Sequence, residues 1–316
     1  MVSGSSRLVG EQLGERSLPA KTTKHYRQAT TMQISFSTGT FYHRPLSYSL
    51  KLARDLGYDG VEVVLGVGYL LGSVGPLRRV LKRSGVRALS VHPPFYPFPG
   101  WSRDPQISVP RAVGVARALG AGVCVAHTIY ISGPDSPRGR YFGAALEAGA
   151  AAGAATGDGA VTLAVESNQY NRRRHRRYYL DDLRRLVEYA QAHGCAITFD
   201  TCHAGANGED VLEDYAIVRP VLRNIHLSDT ILGADGVIHT HVTPGSGALP
   251  LKELLATLAQ DGYDGLITME LHPREVGGLW DDARARSTFS EALAFVRAAT
   301  TISPVTSSSL SATPGA

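Results

Sequence analysis

Short apolar runs alternate along most of this chain with longer stretches whose apolar residues recur every three or four positions. The runs at 33–37, 61–65, 88–91, 123–126, 161–165, 196–199, 222–227 and 266–269 predict strands. Between them, "LSYSLKLARDLG" and "LDDLRRLVEYAQAHG" carry clear helical spacing, and each stops at a Gly suited to a helix C-terminus. Eight such strand–helix units predict an α/β fold, a single-domain (β/α)8 TIM barrel over residues 32–301. A doubly wound sheet is the competitor, but no Gly-rich phosphate fingerprint follows the first strand. "GYDGVEV" and "GYDGLITME" form a faint internal repeat, each a helix-to-strand turn. "AALEAGAAAGAATG" reads as a poorly specified helix before the fifth strand. Residues 1–31 are polar and without period, and are read as a disordered or artefactual N-terminal extension. Residues 302–316, rich in Ser, Thr, Pro and Ala, are read as a disordered tail.

In such a barrel, chemistry sits at the C-terminal ends of the strands. There the sequence places His92, His127, Glu166, Asp200 with His203, His226 with Asp229 beyond it, and Glu270. The loop "IHTHVTPGSG" adds His239 and His241. Six of the 11 histidines thus fall at strand ends or adjoining loops, interleaved with three carboxylates. Carboxylates crowded into one pocket would repel and desolvate badly without divalent cations, for which His, Asp and Glu are natural ligands. Nine candidates exceed what one ion needs, whereas two or three ions would use them all. Clustered ions can clamp a phosphodiester and activate water, while a single ion suits polarising a sugar hydroxyl and carbonyl.

Composition narrows the setting. Hydrophobic residues make up 43% and charged residues 19%, a normal globular mixture. The net charge of +4 comes almost wholly from Arg, since only five Lys are present. Cys124, Cys195 and Cys202 do not make a disulfide framework. With no secretory leader and no apolar run of membrane-spanning length, a cytoplasmic location without membrane partners is expected. "NQYNRRRHRRYY" follows Glu166 closely, and Arg172, Arg173, Arg174, Arg176 and Arg177 are candidates to hold phosphate. Cys202 reads as buried packing, His43 and His272 as supporting or surface groups. Glu62 is left outside the ligand set. Phe95, Tyr96, Phe98 and Trp101 either stack on a substrate ring or cap the barrel mouth.

These residues resemble the xylose-isomerase-like TIM-barrel superfamily (AP endonuclease family 2) over roughly residues 33–300. In its isomerase and epimerase branch, one metal is held by Glu, Asp, His and Glu after strands five to eight, and Glu166, Asp200, His226 and Glu270 match. The two Glu also act as the acid/base pair of the epimerases. The endonuclease IV type adds imidazoles for three zinc ions, and His92, His127, His203 and His241 match those. "FDTCHA" and "HVTPGSG" are similar to its signatures. Where that type has an Asp two residues before the loop histidine, this chain has His239, and the loop after strand three lacks the sequence associated with DNA insertion. "FSTGTFYHRPL" is similar to a cobamide-remodelling phosphodiesterase branch.

The resemblance implies a phosphodiester hydrolase with two or three Zn²⁺ ions, acting on a phosphate-containing small molecule or nucleic acid. Its metal ligands would be His92, His127, Glu166, Asp200, His203, His226, His239, His241 and Glu270. The alternative is a sugar or sugar-phosphate isomerase or epimerase with one Mn²⁺ or Mg²⁺ and Glu166 and Glu270 as the catalytic acid/base pair. A barrel that binds metal without catalysis ranks third.

Overall fold

Strand and helix alternate from the first element onward: β1 (Gln33–Ser37), α1 (Leu46–Leu56), β2 (Gly60–Val64), α2 (Gly75–Ser84), β3 (Ala88–His92), α3 (Pro105–Leu119), β4 (Val123–Ala126), α4 (Pro137–Gly153) and β5 (Thr162–Glu166). Then come α5 (Leu183–Ala192), β6 (Ala196–Asp200), α6 (Thr201–Asn207), α7 (Val211–Val218), β7 (Leu222–Leu227), β8 (Asp229–Leu232), β9 (Ile238–Val242), α8 (Leu251–Gln260), β10 (Leu266–Met269) and α9 (Asp282–Thr300). The structure is a computed structural model and describes residues 32–66, 69, 72–95, 98–154, 159–169, 178–234 and 236–301. The readings of 1–31 and 302–316 as disordered lie outside the described residues. No helix among the described residues is long and apolar enough to cross a membrane.

β1 to β7 and β10 close into a parallel barrel, with β10 pairing β1 on one side and β7 on the other. This is the architecture the alternation predicts. Local chemistry sets the helix limits. Asp104, Asp182, Asp210 and Asp281 accept backbone N–H groups at the starts of α3, α5, α7 and α9. Gly57, Gly85 and Gly120 end α1, α2 and α3 in the left-handed conformation. The Ala/Gly-rich stretch up to Gly153 falls in α4, where small residues are what the packing needs. A Cβ at Gly149 would come within 2.6 Å of Val109 and 2.8 Å of Leu163.

The barrel interior is layered. Leu89, Val123, Ala164 and Leu266 form an apolar cluster. Ala164 and Leu266 share their strand faces with Glu166 and Thr268, two residues on. In the next layer Ser35 Oγ lies 2.9 Å from Thr268 Oγ1, Thr268 donates to Asn224 Oδ1 at 2.9 Å, and Ser90 donates to Glu62 Oε2 at 2.9 Å. Above them stand the carboxylates and imidazoles. Outside the barrel, Phe36 packs on Phe289 at 4.4 Å between centroids and on Tyr58 at 5.1 Å, clamping α9 against β1. Each fully buried aromatic of this kind contributes roughly 1.5–3 kcal/mol.

Three strands run one residue beyond the predicted limits. His92, Glu166 and Asp200 close β3, β5 and β6 rather than following them, because ladder pairing continues through Val64–His92, Glu166–Thr198 and Asp200–His226. The sequence also gave no sign of the antiparallel hairpin β8–β9, which carries the segment read as a loop.

One buried acid lies apart from the barrel mouth. Asp214, on α7, is 7% exposed, and its Oδ2 has no hydrogen-bond partner among the described residues. Burial, then the charges of Glu209, Asp210 and Glu213, raise its pKa to about 7. The folded protein therefore binds this proton more tightly than the unfolded chain. The cost is absent below pH ~4, grows as pH rises, and is complete above pH 7. Asp214→Asn is expected to stabilise the protein at pH 8 by about 1–2 kcal/mol, after allowing for partial screening, and to be neutral at pH 4. Urea titrations at the two pH values check this.

Candidate metal centre

The functional side chains project from the C-terminal ends of consecutive strands. Glu166, Asp200, His226 and Glu270 each bring one donor atom within 4.8 Å of the others. Two further groups adjoin: His92 and His127 with Glu166, and Cys202, His203 and His241 with Asp200. Glu166 and Asp200 are thus common to neighbouring groups.

Asp200 is fixed by its own backbone. Its Oδ1 accepts the N–H groups of Cys202 at 2.8 Å and His203 at 3.0 Å, capping α6. This leaves Oδ2 turned into the site, buried and without a hydrogen bond. The "FDTCHA" spacing is therefore a helix cap first: Asp ends the strand, and the turn it caps lifts His203 over the barrel. Thr201 ties β6 to β7 by donating to Ser228 O at 2.6 Å. His203 Nδ1 lies 2.8 Å from Ser167 O, so as a donor there it presents Nε2 as the ring's lone pair.

His226 is held from behind. Its Nε2 lies 3.2 Å from Glu62 Oε2, while Nδ1 lies 3.1 Å from Glu166 Oε1 and 2.7 Å from Glu270 Oε2. One ring N–H cannot serve two carboxylates, and Glu270 Oε2 has no directed hydrogen bond. Burial opposes charge here, yet the Glu62, Glu270 and Glu166 carboxylates outweigh it and raise the His226 pKa well above the usual range. Burial likewise raises the Glu270 pKa, but His226 and His241 bring it down to about 2. Glu166 is held well below the carboxylate range by His127 and His226 despite its burial. Asp200 Oδ2, buried without a hydrogen bond, and the carboxylates converging on one imidazole make a pocket rich in negative charge. A divalent cation with oxygen and nitrogen ligands fits such a pocket.

Glu62 was legible only as a charge in the middle of "GVEVV", a run that forms a buried strand. A fully buried carboxylate needs a partner, and here it orients His226. Cys202 is buried as expected, but it is more than filling: Sγ lies 3.5 Å from His241 Nδ1. Burial, then Asp200, push its pKa up, so it remains a thiol.

His239 is not brought to the other donors and belongs to none of the three groups. Ordinary strand alternation would put His239 and His241 on one face. Instead, the hairpin register shifts between Asp229 and Ile231, and His241 has a positive φ of 55°. His241 turns to Glu270 O at 3.2 Å, while His239 lies 3.4 Å from Arg274 Nη1. Asp229 anchors this loop. Its carboxylate accepts the N–H groups of Thr230, Gly245, Gly247 and Leu249 at 2.8–3.1 Å. A Cβ at Gly247 would lie 2.3 Å from Asp229 Oδ1, which explains the second Gly of "HVTPGSG".

At the rim, Phe95 leans on His92 with centroids 4.6 Å apart, capping that imidazole. Phe98 and Trp101 stack on each other, and Trp101 packs on Tyr69 and Arg111 instead. Tyr96 and the candidate phosphate-holding residues Arg172, Arg173, Arg174, Arg176 and Arg177 lie outside the described residues. His43 contacts Leu279 O at 2.7 Å, and His272 accepts from Arg274 N, both supporting loops.

Fold and donor residues together define a (β/α)8 barrel with a candidate metal centre at the C-terminal ends of its strands. The chain belongs to the xylose isomerase-like TIM barrel family, whose model matches residues 50–299. It is 27% identical over 260 residues to an uncharacterized protein of Mycobacterium tuberculosis, covering 76% of this chain and 89% of that one. A fructoselysine 3-epimerase of Escherichia coli O157:H7 is 35% identical over 72 residues, 23% of this chain and 25% of the epimerase. Among solved structures, the 3-keto-D-glucoside 4-epimerase YcjR from E. coli superposes with a TM-score of 0.62 at 15% identity, covering 85% of this chain and all of that one. At that identity the likeness is one of fold.

Proposed function

We propose that this protein is a divalent-metal-dependent epimerase or isomerase of a sugar or sugar derivative, acting by proton transfer at a carbon beside a carbonyl. The observation that carries this is the Glu166–Asp200–His226–Glu270 donor set, with a carboxylate entering from β5 and another from the end of β10. Likeness to epimerases in part of the sequence and in fold supports this reading over hydrolysis.

A Mn²⁺ or Mg²⁺ ion held by the four residues would polarise the carbonyl and hydroxyl oxygens of a substrate laid across the mouth. Glu166 and Glu270 are both held as carboxylates by the imidazoles beside them. One would take the proton from the carbon beside the carbonyl, while the other, having first taken a proton from solvent, would give it to the opposite face, so the pair ends the turnover with its protonation exchanged. His92 and His127, 3.4 and 3.3 Å from Glu166 Oε2, hold that carboxylate in place. Phe95 shields His92 from water.

The test is to incubate the Mn²⁺-loaded protein in D₂O with a panel of ketohexoses, ketopentoses, their phosphates and 3-keto-glucosides. Deuterium entering the carbon beside the carbonyl of at least one compound, and stopping with a chelator, is the expected result. Cleavage of bis-p-nitrophenyl phosphate without any exchange would reject it.

Glu62→Gln is expected to weaken activation by Mn²⁺ about 10- to 100-fold with the far-UV spectrum unchanged, because Glu62 only orients His226. Metal titration of the activity checks this.

A second reading, hydrolysis of a phosphodiester at two or three ions, is favoured by one observation. The three donor groups form a chain through Glu166 and Asp200, as bridging carboxylates would. Metal count distinguishes it.

A further inference from the structure

A groove of about 750 Å³ runs along α2 from Gly75 to Gly85 and meets the last turn of α3 and the start of β3, the strand end opposite the donors. Ala88, which opens β3, lines it, whereas His92 closes the same strand at the metal end. Its rim holds Arg78, Arg79, Lys82, Arg87 and Arg117, and among the described residues no acid lines it. All five cations are exposed, and none forms an ion pair with a described residue. The sequence explains this: between Glu62 and Asp135 the only acid is Asp104, which caps the far end of α3.

Part of this charge has a structural use. Lys82 and Arg117 stand in the last turns of α2 and α3, where cations offset the carbonyl ends. Arg78 and Arg79 lie a turn earlier and Arg87 beyond the helix, so their charge is surplus to that use. A single-sign rim over a floor of Leu81, Val86 and Leu119 is a concave anion site with an apolar base. Four of the five cations are Arg, whose planar fork suits phosphate. Among the described residues no aromatic lines the groove, so they offer no stacking platform of the kind a single-stranded nucleic acid would use. The volume is that of a small-molecule site.

We propose that this groove binds a multiply phosphorylated small molecule, its phosphates held by Arg79, Arg87 and Arg117. Two sources share that chemistry, an inorganic polyphosphate chain and a nucleoside polyphosphate.

The test is calorimetric titration of the full-length, metal-loaded protein with tripolyphosphate and with ATP at 0.15 M salt. Saturable binding at one site per chain is expected. The Arg79→Ala/Arg87→Ala double variant should bind at least about 30-fold more weakly. Lys252→Ala, which removes an exposed cation on α8 outside the groove, should bind as the wild type does. Arg79→Lys/Arg87→Lys should recover only part of the affinity, since it keeps charge without the fork. ATP binding more tightly than tripolyphosphate would support the proposal with the base on the apolar floor. Equal affinities would support it with phosphate alone recognised. The proposal is overturned if neither anion binds, if the double Ala variant binds normally, or if Lys252→Ala loses the binding. It is also overturned if a single-stranded oligonucleotide binds the groove and neither small anion displaces it.

Discussion

Replacing Glu270 with glutamine is expected to lower kcat of the proposed epimerisation by about 10³-fold or more while leaving the protein folded. The carboxylate is buried, and His226 and His241 hold its pKa at about 2, so at neutral pH it is present as a base. Glutamine keeps the volume but can neither accept nor return a proton. The same change removes one of the negative groups around His226 and so weakens the hold on a cation. The two effects separate by experiment. Excess Mn²⁺ should restore occupancy of Glu270→Gln, measured by electron paramagnetic resonance, without restoring turnover. If saturating metal brings the rate within tenfold of wild type, Glu270 is a ligand only and the acid/base pair is wrongly assigned.

Replacing Asp229 with alanine is expected to destabilise the protein by about 3–5 kcal/mol, an effect on structure rather than chemistry. Four backbone N–H groups converge on this one carboxylate, and Asp229 is fully buried. Without it those donors lose their acceptor in a place where water does not replace it. The loop they shape sets the position of His241, so the variant should also bind metal more weakly. Gly247→Ala should act in the same direction, since its Cβ would meet Asp229 Oδ1 and Thr230 O, both at 2.3 Å. Guanidinium titration measures the loss. A change below 1 kcal/mol in Asp229→Ala would show that the loop holds itself without that carboxylate.

Asp229 illustrates where sequence reading stopped. The alternation of apolar runs and amphipathic stretches specified the barrel, because a parallel strand buried on both faces and a helix against it have distinct periods. The barrel then pointed to its strand ends, and Glu166, Asp200, His203, His226, His241 and Glu270 indeed converge there. His239 does not, because the separation from His241 depends on a register shift and one positive φ, which arise only when β8 and β9 pair. Asp229 stood beyond the end of a strand with no role assigned, and its contacts are to backbone. Glu62 stood in the open as a charge inside an apolar strand, but its partner, His226, is 164 positions away. The weighting of function shifted for a different reason. The extra imidazoles pointed toward a multi-ion hydrolase, whereas the relatives with a stated activity reported above are epimerases.

Metal content of protein purified without added metal, then loaded with Mn²⁺ and desalted, addresses the central claim most directly. The Glu166–Asp200–His226–Glu270 set predicts one tightly held ion per chain, lost in His226→Ala and retained in His203→Ala. Close to three zinc ions per chain as purified, with His203→Ala losing one or more of them, would contradict a one-ion epimerase.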